Sequence, residues 1–101
     1  MHGMKRLELI IERMAMKRAG RVLESAGVKG YTVVPALAGY GQGSYWQRDR
    51  DMSASQDMVV MIAISSDAVM QVALEDLQKL LGAHIGVLSV SDVNVLRPER
   101  F

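Results

Sequence analysis

The sequence predicts an α+β sandwich with the element order β-α-β-β-α-β. Three observations carry this. Residues 5–12 alternate apolar and polar side chains, which is a strand period. Two stretches follow the three-and-four spacing of a helix face, and each has a glycine at its C-terminal boundary. Residues 4–38 and 57–96 repeat the strand-helix-strand order around one long connection, although no sequence repeat underlies it.

In the first strand Leu7, Leu9 and Ile11 share one face, and Arg6, Glu8 and Glu12 the other. His2 and Gly3 read as a tag remnant outside the fold. From about Met14 the period changes. Ala15, Ala19, Val22, Leu23 and Ala26 form one helical face, while Arg13, Lys17, Arg18, Arg21 and Glu24 lie mostly off it. Gly27 stands where a left-handed cap is wanted. Gly20 weakens the helix by about 1 kcal/mol relative to Ala, so close packing is its expected reason. Residues 30–38 read as the second strand, and Pro35, which has no N–H, places it at an edge or a bulge.

Residues 39–56 show neither period. A connection of that length is uncommon in a small domain and is usually functional or disordered. It contains the one Trp, Trp46, and two of the three Tyr, Tyr40 and Tyr45. Residues 42–56 are expected to be mobile without ligand and to order partly with it.

Residues 58–64, Met-Val-Val-Met-Ile-Ala-Ile, are apolar on both faces, so both sides need cover. Ser65-Ser66-Asp67 offers a cap for a helix that runs to Leu81, with Val69, Ala73, Leu77, Leu80 and Leu81 on one side and Gly82 ending it. Residues 86–96 form the last strand, with Val87, Val93 and Val95 in one phase and Leu88 and Val90 in the other. Residues 97–101 are a tail. The pattern is that of a ferredoxin-like βαββαβ domain over residues 4–101, with a long loop between strands 2 and 3. Both helices then cover one sheet face. The other would expose Met58, Val60, Ile62 and Ile64 or their neighbours, and oligomerisation through the sheets is the remedy, a closed cyclic assembly being expected.

Composition sets limits. The chain has 101 residues, 50% hydrophobic and 23% charged, which fits one folded domain. Lys and Arg number 12 against 11 Asp and Glu, a balance unlike that of a nucleic-acid binder. With no Cys there are no disulfides, thiol catalysis, or cysteine-held zinc or iron–sulfur clusters. No apolar run approaches the roughly 20 residues of a membrane-spanning helix, and the charged N-terminal stretch is unlike a signal peptide. A cytoplasmic protein is expected.

The chemistry-bearing residues are sparse. His2 and His84 have no partners at metal-ligand spacing, and no Gly-x-Ser-x-Gly elbow is present. No catalytic residue and no metal site are assigned. The eight Met read as start residues and core filler. The alternating glycines of Gly39-Tyr40-Gly41-Gln42-Gly43 have two readings: a backbone cradle for an anion, or glycines that begin a loop. Arg48-Asp49-Arg50-Asp51 is self-neutralising. Tyr45 and Trp46 either anchor a partner or fold back. Arg97 and Arg100 suit phosphate oxygens or are a solvated tail. Each signal is weak, and their meeting at one subunit interface would make them a site.

The stretch from Val22 to Val33, with Gly27-Val28-Lys29-Gly30 followed by Tyr31-Thr32-Val33, resembles the PII signal-transduction family. Gly39-Tyr40-Gly41 stands where that family has Gly-Phe-Gly at the base of its long T-loop. Ile10-Ile11 matches the Ile pair of its first strand, and Arg97 and Arg100 resemble its Arg-x-Arg pair, one residue further apart. The resemblance implies a non-enzymatic homotrimer that binds nucleotide between subunits and signals through the T-loop to a partner. It implies a nucleotide site of Ile10, Thr32, Gly39, Gly41, Gln42, Gly43, Gly86, Arg97 and Arg100. There are departures. One extra residue lies between Thr32 and Gly39. Gly82-Ala83-His84-Ile85-Gly86 replaces the family's Gly-Asp-Gly-Lys, so the lysine that holds terminal phosphates is missing. The loop also lacks the usual modification sequence, which argues against uridylylation at Tyr45.

These departures resemble the PII-like branch found beside inorganic-carbon transporters and carboxysome genes. That branch implies ADP or AMP as ligand, with ATP also accommodated, and a carbon-uptake transporter or carboxysome-related protein as partner. Bicarbonate either sits at Gly41, Gln42 and Gly43, or acts only through the partner. Two other classes compete: a small ferredoxin-like or α+β-barrel enzyme of isomerase or monooxygenase type, with His84 as its histidine, and a trimeric divalent-ion tolerance protein, which the absence of Cys disfavours.

Overall fold

The computed structural model describes residues 1–41, 43–47, 57–82, 84 and 86–101. Its elements are β1 (His2–Glu12), α1 (Met16–Ala26), β2 (Tyr31–Pro35), β3 (Ala38–Gly41), β4 (Ser44–Gln47), β5 (Met58–Ser65), α2 (Asp67–Leu81) and β6 (Gly86–Val95), with short 3-10 turns at Arg13–Ala15 and Pro98–Arg100. Four strands form an antiparallel sheet in the order β2-β5-β1-β6. This is the ferredoxin-like arrangement that the periodicities predict, and Pro35 does lie on an edge strand.

Register decides which residues share a face, because directly paired residues of antiparallel strands point the same way. Leu7, Leu9 and Ile11 stand opposite Ala63, Met61 and Val59 on β5, and opposite Val90, Leu88 and Gly86 on β6. This side meets the helices. Leu7, Leu9, Ile11, Met61, Leu23 and Leu77 are fully buried there, each contributing about 1.5–3 kcal/mol by burial. Ala15, Ala19 and Ala73 keep the layers close, and Gly20 makes room for the Tyr31 ring, whose hydroxyl a Cβ would overlap.

The helix ends follow local chemistry. Gly27 caps α1 at φ 105°, the left-handed conformation expected of it. The Ser66 hydroxyl accepts from the Val69 amide at 3.3 Å and starts α2. Gly82 differs: its φ of −59° is right-handed, so α2 ends without a left-handed cap.

Three expectations need correction. His2 and Gly3 belong to β1, where they pair with Val95 and Asn94; backbone pairing needs no side-chain pattern. Glu12 does not share the open polar face. It is only 8% exposed, and its carboxylate lies 3.5 Å from His84 Nδ1. The long connection is not without structure throughout: β3 and β4 pair as a hairpin, Ala38 with Gln47 through Gly41 with Ser44. Glycines at alternate β3 positions hide its apolar period, and the Trp46 ring lies where a Gly39 side chain would be. Of the stretch expected to be mobile, Gln42 and residues 48–56 lie outside the described residues.

One core position is under-satisfied. Ser65 is fully buried on the helix-facing side, opposite Lys5, and its hydroxyl has no hydrogen-bond partner among the described residues. Leaving a hydroxyl unpaired costs about 1–3 kcal/mol. Ser65→Ala is therefore expected to stabilise the protein by about 1 kcal/mol, or about 4–8 °C in Tm. Thermal unfolding at matched protein concentration checks this, and an unchanged or lowered Tm contradicts it.

Candidate functional site

The sheet face away from the helices is apolar at its centre. Ile10 stands opposite Val60 and Val87, Val34 opposite Val60, and Thr32 opposite Ile62. Met58, Val60, Ile62 and Ile64 alternate with the buried residues of β5 and stay half-buried, while Val87 is 66% exposed. Thr32 thus sits beside a continuous aliphatic surface that also carries Ile10.

Ile10 and Gly86 come together at the C-terminal end of β1. A Cβ on Gly86 would lie 2.6 Å from Leu81 Cδ2 and 3.3 Å from the Ile10 carbonyl oxygen. A side chain there would have to displace the tip of Leu81 and press on the Ile10 carbonyl, so β6 approaches α2 closely at Gly86. The hairpin follows β2 at the same end of the sheet, since Pro35 pairs with Val59 and Ile11 pairs with both Val59 and Gly86. Gly39 takes the Trp46 ring, Gly41 pairs with Ser44, and Gly43 turns the chain at φ 78°. Gln42 lies outside the described residues. The two aromatics of β4 divide: Trp46 folds back onto Gly39, and Tyr45 remains 59% exposed beside its cross-strand neighbour Tyr40.

Arg97 and Arg100 lie elsewhere. They follow the far end of β6, whose 10 residues from Gly86 to Val95 span about 30 Å. The tail turns through Pro98–Arg100, where Lys29 Nζ donates to the Glu99 carbonyl at 3.2 Å. Both arginines are exposed. One protomer therefore presents two groups of predicted residues at opposite ends of its sheet: Ile10, Gly86 and the hairpin glycines at one, the arginines at the other.

The arginine end also carries a cleft of about 270 Å³ lined by Lys5, Asp67, Asp92 and Asn94 among others. Lys5 pairs with Asp92, whose hydrogen bond and charge raise its pKa. Sequence reasoning missed a set of contacts at the opposite end. His84 lies between Arg18 Nη2, 2.9 Å from Nε2, and Glu12 Oε1, 3.5 Å from Nδ1. Arg13 Nε stands 2.6 Å from Asp57 Oδ2. Nothing in the local pattern joins residues so far apart in sequence. Among the described residues no three His, Cys, Asp or Glu side chains gather as a metal site, and no helix is long and apolar enough to cross a membrane.

A four-stranded antiparallel sheet with two helices on one face, and a glycine-based hairpin after its β2 strand, is the arrangement expected of a PII-type protein. The chain belongs to the nitrogen regulatory protein P-II family, whose model matches residues 4–100. Among solved structures it is similar to CPII, a nitrogen regulatory PII-like protein from Thiomonas intermedia K12, solved bound to ADP, AMP and bicarbonate: 33% identity, TM-score 0.89, covering 99% of this chain and 94% of that one. The same protein bound to ADP and bicarbonate matches at 34% identity and TM-score 0.85, covering 99% and 95%. A chain from Thermus thermophilus, described as a PII-like signaling protein, matches at 25% identity and TM-score 0.84, covering 99% and 96%. A comparison with curated proteins gives no match. The PII-like branch is thus the one to which this regulatory chain is assigned.

Proposed function

We propose that this protein is a cytoplasmic homotrimer that senses adenine nucleotide, ADP and AMP ahead of ATP, together with bicarbonate. It would act as one domain over residues 4–101 and report inorganic-carbon or energy status to a carbon-uptake transporter or carboxysome-related protein through the loop after Gly39. The observation that carries the reading is the whole-length similarity to CPII, which holds ADP, AMP and bicarbonate. Two features of the chain support it. The separation of Gly86 from Arg97 along β6 suits a cleft between subunits, and the open aliphatic face suits sheet-to-sheet assembly.

In this reading Thr32 and Ile10 line the nucleoside end, backbone N–H groups of the hairpin meet phosphate, and a neighbouring subunit's arginines complete the field. The family's phosphate-binding lysine is replaced in the 82–86 turn, so a third phosphate gains little. Bicarbonate binds at Gly41, Gln42 and Gly43, beside the phosphates. Two anions side by side repel, so fewer phosphates favour the shared site. Titrating ADP with and without millimolar bicarbonate, chloride balancing ionic strength, tests this. The expected result is a shift in ADP affinity matched by an equal shift in bicarbonate affinity, since coupling is reciprocal. Identical ADP constants would leave a nucleotide sensor alone, and no ADP binding would end the reading.

A further inference from the structure

The two helices carry opposite charge on their outer faces. Along α1 and the turn that leads into it, Arg13, Lys17 and Arg21 follow one another at four-residue spacing, and all are exposed. The first turn of α1 holds no acid and has no side-chain cap. Like charges four residues apart repel, and cations at a helix N-terminus oppose its dipole, so this ridge destabilises the helix that bears it. Arg13 pairs with Asp57 and is still 59% exposed, while Lys17 and Arg21 have no ionic partner among the described residues. α2 is the reverse. Asp67 and Glu75 stand eight residues apart on its exposed side, with Gln71 between them and Lys79 one turn further on.

The spacings match. Arg13 to Arg21 and Asp67 to Glu75 each span eight residues, about 12 Å of helix. Laid parallel in that register, Arg13 meets Asp67, Arg21 meets Glu75, and Glu24 comes within one residue of Lys79. Val72, 48% exposed, then lies against the aliphatic stem of Arg18. Laid antiparallel over the same span, Arg13 meets Lys79, so the charges select the parallel direction. One chain cannot pair its own helices this way. α1 joins β1 to β2 and α2 joins β5 to β6, and the strands of each pair are parallel, so each helix runs back against its strands. Since β1 and β5 are antiparallel, so are the two helices.

We propose that the outer face of α1 is a docking surface for the outer face of α2 on a second copy of this chain. Each copy offers one basic and one acidic face, so the contact is heterologous and leaves a free face of each kind at its ends. In the proposed assembly through the open sheet face both helices stay outside, so this contact joins assemblies to one another. A single exposed ion pair holds little, so the contact works through several at once and only at low salt.

The test compares the mass of the protein by light scattering at high micromolar concentration in about 0.01 M and about 1 M salt, where charges are screened over about 30 Å and 3 Å. The high-salt mass is the reference, whatever the basal assembly, so the outcome is separate from the trimer reading. The wild type is expected to reach at least about twice that mass at low salt, and Arg21→Glu and Glu75→Lys each to stay at it. An equimolar mixture of the two variants is expected to regain the rise, because the altered α1 of one now suits the altered α2 of the other. A wild-type mass that ignores salt overturns the contact, as does a rise that persists in both variants or a mixture that regains nothing. A wild type that ignores salt but floats with anionic phospholipid vesicles, and loses this in Arg21→Glu, also overturns it and gives the basic ridge to a lipid surface.

Discussion

Arg97→Ala and Arg100→Ala are each expected to weaken ADP binding by about 1.5–3 kcal/mol, the range for a hydrogen bond to a charged group, or about 10- to 160-fold in Kd. Both side chains are exposed in the protomer, and the contact that holds the tail runs from Lys29 to a backbone carbonyl. Neither substitution removes a core contact, so the loss would report the ligand and not the fold. The affinity of the unmodified protein should also fall with rising salt, since the contact is between charges. Calorimetric titration of each variant at fixed ionic strength is the measurement. Unchanged ADP affinity in both would mean that the phosphates lie elsewhere and that the two ends of the sheet do not meet across subunits.

The second large effect is expected from Ile62→Glu. Ile62 sits near the middle of the open face, between Thr32 on β2 and Glu8 on β1. It is half-buried in the single protomer and points away from the helix-facing core. A carboxylate there is tolerable in water, but in a dry interface it is an unpaired buried charge costing several kcal/mol, with Glu8 beside it adding repulsion. The expected outcome is a folded monomer at micromolar concentration, against the trimer expected of the wild type. ADP binding should be lost with assembly if, as proposed, each cleft takes residues from two chains. A variant whose mass in light scattering stays that of the wild type would show that subunits meet by another surface. A wild type that is itself a stable monomer would dispose of the trimer altogether.

These two experiments probe different layers of what was legible in the chain. Where a side-chain period is present, the elements could be read directly: alternation in β1, the helical stripe of α1, the two-sided apolar run of β5. A residue with one dominant conformational property was equally readable. Pro35 lies on an edge because it has no N–H to give, and Gly27 caps α1 because it alone takes φ 105° without strain. The open aliphatic face also followed from counting apolar positions against two helices. The candidate residues came from resemblance to a family, not from any period, and the chain's membership of that family rests on the match over residues 4–100.

What the pattern did not contain was contact between segments far apart in sequence. The β3–β4 hairpin has glycine at alternate positions of its first strand, so its side chains carry little signal; Trp46 packing on Gly39 becomes visible only when the strands are paired. His2 and Gly3 join β1 through main-chain pairing with β6, which any residue but proline can make. Glu12 reads as a polar-face residue by alternation, yet it is buried beside His84, which lies far along the chain between α2 and β6. The placement of Gly86 and Arg97 at opposite ends of one strand was likewise decided by the fold. Sequence determined the elements, because periodicity is local chemistry. Only the tertiary structure decided which ends meet, because strand register and turn closure are set by backbone pairing and burial across the whole chain.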